Sequence, residues 1–190
     1  MGWFSKKPSQ ATIIGKEAGK TARAQVLIPI NASIAFSGKS PPVDLFYDTY
    51  VCGFLMGMIY ALADLSTARR GKLFSGSEKL EFMMAAIESI VGRERNARYI
   101  SDLRTTSSSE DYEQGRSAGR ALLLATYAYP ALLEEFKAGK ASIVHDALKV
   151  IEERQGFLHD IYPDWGDKEK LIWGIPEVSI NRHVAEKYAL

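Results

Sequence analysis

The sequence lacks most of the features that identify a common function class. It has one cysteine, Cys52, among 190 residues, so no internal disulfide can form and the chain fits a reducing compartment. Its 24 basic and 23 acidic residues give a net charge of +1, without the positive field of a nucleic-acid-binding protein. The start of the chain becomes polar too soon for a secretory signal. We therefore expect a cytoplasmic protein that does not bind nucleic acid.

The sequence also lacks a recognisable motif for a nucleotide, a metal or a cofactor. Three residues separate Gly15 from Gly19-Lys-Thr21, whereas a phosphate-binding loop of this type needs four. There is no nucleophile elbow and no paired cysteine and histidine. The sequence therefore predicts no cofactor and no bound metal.

A hydrophobic run long enough to cross a bilayer is missing as well. The longest apolar segment without a charge runs from Thr49 to Ala63, which is 15 residues, whereas a bilayer core requires about 20. The segment from Asp44 to Arg70 is apolar nearly all round when drawn as a helix, which is typical of a buried helix. We interpret it as the central helix of a globular fold.

Helical periodicity continues through the rest of the chain. Apolar residues recur every three or four positions over 75–92, 110–128 and 142–155, and Ser75 with Glu78 has the spacing of a capping box. Pro130 disfavours helix at Tyr129, so the segment 131–138 is either a kinked continuation of the preceding helix or a new helix. The sequence predicts an all-α fold, a compact bundle of about six to seven helices with irregular N- and C-terminal segments.

The expected organisation is a basic N-terminal helix and extended linker (1–40) attached to a helical core domain (41–190) with an aromatic C-terminal wrap (157–190). We expect Ser9 to Gln25 to be dispensable for the core, because each of its two glycines costs ~1 kcal/mol in a helix interior. Five basic residues and one acidic residue precede Val26, so residues 1–25 could contact an anionic membrane surface. A mobile tail followed by a solvated helix is the alternative.

The segment 26–36 shows alternating apolar residues interrupted by Pro29, which predicts an extended coil. A similar alternation occurs near the C-terminus, over 172–180. The alternative interpretation is therefore a small sheet in which these two segments pair.

A trio of small and aromatic residues occurs twice, 62 positions apart. Tyr50, Gly53 and Gly57 correspond to Tyr112, Gly115 and Gly119, which suggests a two-fold repeat of residues 44–92 and 108–156. Glycines four residues apart remove the side chains from one stripe of a helix and let a neighbouring backbone approach closely. We predict that these six residues form a helix-packing surface or a subunit interface. Chance similarity between two amphipathic helices is the alternative.

Few polar residues have a spacing that suggests a catalytic or metal-binding site. His145, Glu152 and His159 recur every seven residues, but two helical turns separate neighbours by ~10.5 Å, too far for one zinc ion. Asp64 lies on the glycine side of the central helix, where a carboxylate must be paired, protonated or exposed at a cleft. Asp64, His145 and His159 are therefore candidates for a polar cleft. The alternatives are an ordinary salt bridge for Asp64 and a solvated face for the two histidines.

Two functions fit this sequence. The first is a cytoplasmic protein-interaction or regulatory module that self-associates, with a homodimer built on the glycine helices. The second is a small hydrolase-like enzyme whose cleft lies between the two glycine-containing helices and uses Asp64, Tyr50, Tyr112 and the histidines. The absence of a nucleophile or cofactor motif favours the first, although a site can be assembled by folding alone.

Overall fold

The computed structural model describes residues 7–37, 42, 44–71 and 74–188. These residues form helices and turns and contain no β-strand, so the predicted all-α fold is confirmed. The bounds are α1 Gln10–Ser37, α2 Thr49–Arg70, α3 Gly76–Val91, α4 Asn96–Thr106, α5 Glu110–Tyr127, α6 Tyr129–Lys137, α7 Ile143–Glu153, α8 Gln155–Ile161, α9 Asp167–Pro176 and α10 Arg182–Tyr188. A π-helical segment, Glu177–Asn181, joins α9 to α10, and short 3-10 turns precede α2 and α4.

Two helix pairs form the centre of the fold, α2 with α5 and α1 with α3. Helix α2 begins at its N-cap Asp48, whose side chain accepts a hydrogen bond from the amide of Val51, and ends at Gly71 with φ of 62°. The capping box predicted for α3 is present, since Ser75 and Glu78 bond each other's backbone amides. Local sequence signals therefore fix where these central helices begin and end.

Helix α1 contradicts two expectations. It continues through Ser37, so residues 26–36 are helical rather than an extended linker. Its buried residues recur every three or four positions as one stripe: Ala11, Gly15, Ala18, Gly19, Ala22, Val26 and Ile30. Ile28 is exposed on the opposite face, between the buried Val26 and Ile30. Apolar residues therefore occur at every second position here, as in a strand, although only two of the three face the core. The expectation that Ser9 to Gln25 is dispensable was wrong, because this stripe belongs to the core.

The proposed sheet between 26–36 and 172–180 is also wrong. The C-terminal member lies on α9 and the π-helical segment, where Ile175, Val178 and Ile180 are buried. A π-helical turn has a wider repeat than an α-helix, so buried residues there fall out of the usual spacing. The segment 157–190, expected to wrap the bundle, contains α8, α9 and α10 in its described part, and α9 packs on α7 and α5.

One helix of the described chain, α2, is long and apolar enough over Thr49–Arg69 to cross a membrane. Length and composition alone make this weak support for a span, because the core helix of a globular protein passes the same test. Residues on most sides of this helix, including Val51, Phe54 and Ile59, are inaccessible to solvent. Residues 1–6, which belong to the segment expected to contact an anionic membrane surface, lie outside the described residues.

Candidate functional site

The glycines singled out in the sequence lie where α2 and α5 touch. A Cβ atom added to Gly53 or Gly57 would lie 2.1 or 2.0 Å from the carbonyl oxygens of Tyr112 and Arg116. The order of these contacts shows that the two helices run parallel. Hydrogens on the glycine Cα atoms therefore face carbonyl oxygens of the neighbouring helix, as in the weak Cα–H···O contacts of closely packed helices.

The contact is symmetric under the 62-residue offset. A Cβ on Gly115 would lie 2.1 Å from the Tyr50 oxygen, and one on Gly119 would lie 2.0 Å from the Phe54 oxygen. They equal the distances from the Cβ positions of Gly53 and Gly57 on α2 to the carbonyl oxygens of α5. The two glycine stripes thus fill each other within one chain. Duplication of the longer segments 44–92 and 108–156 stays a prediction.

The same packing principle occurs between α1 and α3, where the sequence did not suggest it. A Cβ on Gly15 or Gly19 would lie 2.3 or 2.2 Å from the carbonyl oxygens of Phe82 and Ala86. The order of contacts again describes parallel helices. At the N-terminus of α1, the Ser9 hydroxyl donates a hydrogen bond to the Glu81 carboxylate of α3.

A buried carboxylate joins the start of α2 to the C-terminal helix. The Asp48 side chain is fully buried and accepts hydrogen bonds from the Val51 amide and from Lys187. Its Oδ1 atom is 2.9 Å from Nε2 of His183, and the Tyr188 hydroxyl is 3.4 Å from Oδ2. The carboxylate therefore has partners on both oxygens.

These partners keep Asp48 ionised. Burial by itself raises the pKa of the carboxyl group, but the hydrogen bonds from His183, Lys187 and the Val51 amide outweigh burial and hold the pKa well below its usual range. Since an ionised carboxylate can only accept hydrogen bonds, Nε2 of His183 must carry the proton in this contact. In the neutral imidazole, Nδ1 then has the free lone pair.

Tyr50 fixes the imidazole from a second direction. The rings of Tyr50 and His183 stack with centroids 4.4 Å apart and planes 15° from parallel. Tyr50 is buried, and burial raises the pKa of its hydroxyl to about 12, although Ser179 and the charge of Arg182 act in the opposite direction. The tyrosine is thus neutral at physiological pH and is a rigid aromatic support.

His183 lines a polar cleft of about 420 Å³ at the N-terminal ends of α2 and α5. Tyr50 also contributes, together with residues of α5, α7 and α10. The charged and hydroxyl groups in its wall include Asp111, Ser117, Ser142, Asp146, Arg182 and Glu186. The π-helical segment supplies Val178 and Ser179, and π-helical turns occur frequently at functional sites. We name this space the His183 cleft.

The other sequence candidates are dispersed. Tyr112 is buried in the α2–α5 contact, and burial raises its pKa to about 12. Asp64 accepts a hydrogen bond from Arg120, which also binds Glu135, and it lines a separate cleft with residues of α2 and α3. His145 is exposed on α7, although its neighbour Asp146 lines the His183 cleft. His159 lines a different cleft beside α8.

No group of three or more histidine, cysteine and acidic side chains that could hold a metal ion occurs among the described residues. Cys52 is buried, and its thiol donates to the Phe46 carbonyl oxygen at 3.0 Å. Burial raises the pKa of this thiol to about 11, so a reactive thiolate is disfavoured.

Sequence reasoning missed both members of the Asp48 and His183 pair. In the sequence, Asp48 is only an acidic residue near the start of the central helix, and His183 belongs to no motif. The pair spans 135 residues of chain, so no spacing rule connects it. Comparison with protein-family models, with curated proteins and with solved structures gives no match. The geometry of the site is therefore the only guide to its function.

Proposed function

We propose that the protein is a small hydrolytic enzyme that uses His183 as a general base in the His183 cleft. The observation that supports this most is the buried Asp48 carboxylate bonded to an imidazole that lines a polar cavity. A carboxylate that orients an imidazole and stabilises its protonated form is a recurring arrangement in acyl-transfer enzymes. Tyr50 adds a rigid stacking support on the ring face.

The proposed reaction begins with a water molecule bound in the cleft. Nδ1 of His183 removes a proton from the water as its oxygen attacks an electrophilic carbonyl carbon of the substrate. The carbonyl π electrons move to oxygen, and Arg182, which lines the same cleft, stabilises that negative charge. The imidazolium then returns the proton to the leaving group as the bond to it breaks, which restores neutral His183.

The charges in the cleft favour a particular substrate. Asp111, Asp146 and Glu186 supply three carboxylates, while Arg182 supplies one cation. A strongly anionic substrate would meet repulsion from the carboxylates. An ester or amide that carries an amine or several hydroxyl groups complements these carboxylates better.

The test is hydrolysis of a panel of chromogenic esters and amides by the wild type and by His183→Gln. His145→Gln and His159→Gln serve as matched controls, because neither side chain lines the His183 cleft. Asp48→Asn keeps a side chain able to cap α2 but removes the charge facing His183. We expect losses of about 10²-fold or more for His183→Gln, and substantial losses for Asp48→Asn. Unchanged turnover in a folded His183→Gln variant would refute the proposal, as would a panel in which no compound is hydrolysed.

Self-association is a second candidate function, supported by a different surface from the one the sequence suggested. The glycine stripes of α2 and α5 are filled within one chain, so a homodimer would need another contact. On α3, Leu80 and Met84 are one turn apart and exposed by 64% and 39%. Sedimentation of the wild type and of Leu80→Glu tests this candidate, and a monomer at every concentration would exclude it.

A further inference from the structure

The second cleft contains an aromatic platform that the proposed hydrolytic site does not use. Tyr162 and Trp165 stack with their ring centroids 3.8 Å apart and their planes 4° from parallel. Both rings line a cavity of about 280 Å³ bounded by α7, α8, α9 and the loop 162–166. We name it the platform cleft. Its volume lies near the lower end of the range for small-molecule sites.

The platform is held in place before any ligand binds. The backbone amide of Tyr162 donates to the Leu158 carbonyl oxygen at 2.8 Å, and the backbone amide of Trp165 donates to the Tyr162 carbonyl oxygen at 3.1 Å. Leu158, which is almost completely buried, anchors α8 at the base of the cleft. Pro163 restricts the backbone between the two rings. A rigid aromatic surface lowers the entropy lost when a ligand binds.

Five polar side chains from three helices surround the platform: Glu152, Gln155, His159, Asp167 and Lys170. None of them forms a hydrogen bond or an ion pair with another residue of the described chain. Together they offer acceptors on the two carboxylates, donors on the lysine, and both kinds of group on the amide and imidazole. A ligand that both donates and accepts hydrogen bonds could therefore use all of them.

The charges narrow the ligand class. Two carboxylates and one ammonium group disfavour a phosphate or another strong anion, while Lys170 disfavours a compact cation. A neutral ring with several hydroxyl groups meets no such repulsion, and its C–H face can pack on an aromatic ring. We propose that the platform cleft binds one ring of a carbohydrate, with Trp165 or Tyr162 as the stacking surface. A proline-rich peptide is the competing ligand, because such peptides also dock on aromatic grooves.

The binding test uses the full chain labelled with ¹⁵N. Separate titrations with cello-, chito-, xylo- and malto-tetraose, each to ~10 mM, follow the Trp165 indole N–H and the Gln155 side-chain amide; a proline-rich decapeptide is titrated in parallel. At least one sugar is expected to shift both signals saturably. If no sugar produces a saturable shift, the proposal is overturned, because the Kd for every sugar then lies above ~10 mM. Shifts produced by the peptide and by no sugar also overturn it.

Two variants and one matched control assign the site. Trp165→Ala removes one ring of the platform and the support that it gives to the Tyr162 ring. Glu152→Gln replaces a carboxylate in the cleft by an amide of similar size. Glu153→Gln is the control, because Glu153 is the exposed neighbour and does not line this cleft. Each of the first two changes is expected to weaken sugar binding about tenfold, which corresponds to ~1.4 kcal/mol. Retained affinity in both variants, or an equal loss with Glu153→Gln, would place binding elsewhere and refute the assignment.

Discussion

The contact between α2 and α5 predicts that alanine is harmful at positions where a helix would normally favour it. Replacing a glycine in a helix interior by alanine usually stabilises the helix by about 1 kcal/mol. At Gly57, however, the new Cβ would lie 2.0 Å from the Arg116 carbonyl oxygen, whereas ordinary contact begins near 3.4 Å. The difference, 3.4 − 2.0, is about 1.4 Å, and the atom in the way belongs to a helix backbone rather than to a flexible side chain.

The helices must therefore separate by about an ångström, which would loosen the packing of fully buried neighbours such as Phe54 and Leu122. Overpacking of a core typically costs ~1 to 3 kcal/mol, and a rigid obstacle places Gly57→Ala at the upper end. After subtracting the helix-propensity gain, we expect a net loss of about 2 kcal/mol. For a chain of this size that corresponds to a fall in Tm of roughly 4 to 8 °C.

The assay is urea unfolding followed by circular dichroism at 222 nm, with Gly156→Ala as the matched control. Gly156 lies in α8, and nothing comes within 4 Å of an added Cβ there, so alanine should be neutral or stabilising. Gly53→Ala and Gly115→Ala should cost similar amounts, because both would meet a carbonyl oxygen at 2.1 Å. A free energy of unfolding for Gly57→Ala equal to or above that of the wild type would refute the close packing of α2 and α5.

Two further predictions concern the rest of the core. Gly19→Ala should lower the free energy of unfolding by about 1 to 2 kcal/mol, because an added Cβ would lie 2.2 Å from the Ala86 oxygen; an unchanged urea midpoint would show that α1 does not pack on α3. Asp48 has a folded-state pKa below its unfolded value of ~3.9, so its stabilising contribution of about 2 kcal/mol is fully present above pH ~4 and is lost as the pH falls below it. Asp48→Asn should therefore flatten the acid limb of stability against pH, and an acid limb identical to that of the wild type would contradict the ionised, buried carboxylate.

The central helices could be predicted from sequence because their signals are local. The cap at Ser75, the apolar periodicity and the glycine spacing of α2 and α5 each act within a few residues of chain. The interpretation of residues 26–36 as extended coil is wrong because it rests on the alternation of apolar residues and on Pro29, which interrupts it. Helix α1 continues past Pro29, with Val26 and Ile30 buried on either side of it, and tertiary packing of α1 against α3 and α2 outweighs the local penalty of a proline.

The candidate site could be predicted only in part. Tyr50 was selected for its position before a glycine, and the structure places it in the wall of the His183 cleft. Asp48 and His183 meet only because the π-helical segment and α10 return the chain to the start of α2. Contacts of this kind depend on the path of the whole chain, and no periodicity within the sequence encodes them. Asp64 forms the salt bridge expected as its alternative, with Arg120 of the neighbouring helix, and it lines a cleft other than the His183 cleft.

The close approach of α2 and α5 also explains where the His183 cleft lies. Gly53 and Gly115 follow Tyr50 and Tyr112 by three residues, so the backbones touch just inside the N-terminal ends of both helices. At that end the helices supply Tyr50 on one side and Asp111 on the other, and α7, the π-helical segment and α10 contribute the remaining walls. The N-cap of α2 at the same end is Asp48, which orients His183. Helix packing, helix capping and the imidazole are therefore coupled, because a change in the glycine contact would move the residues that form the cleft.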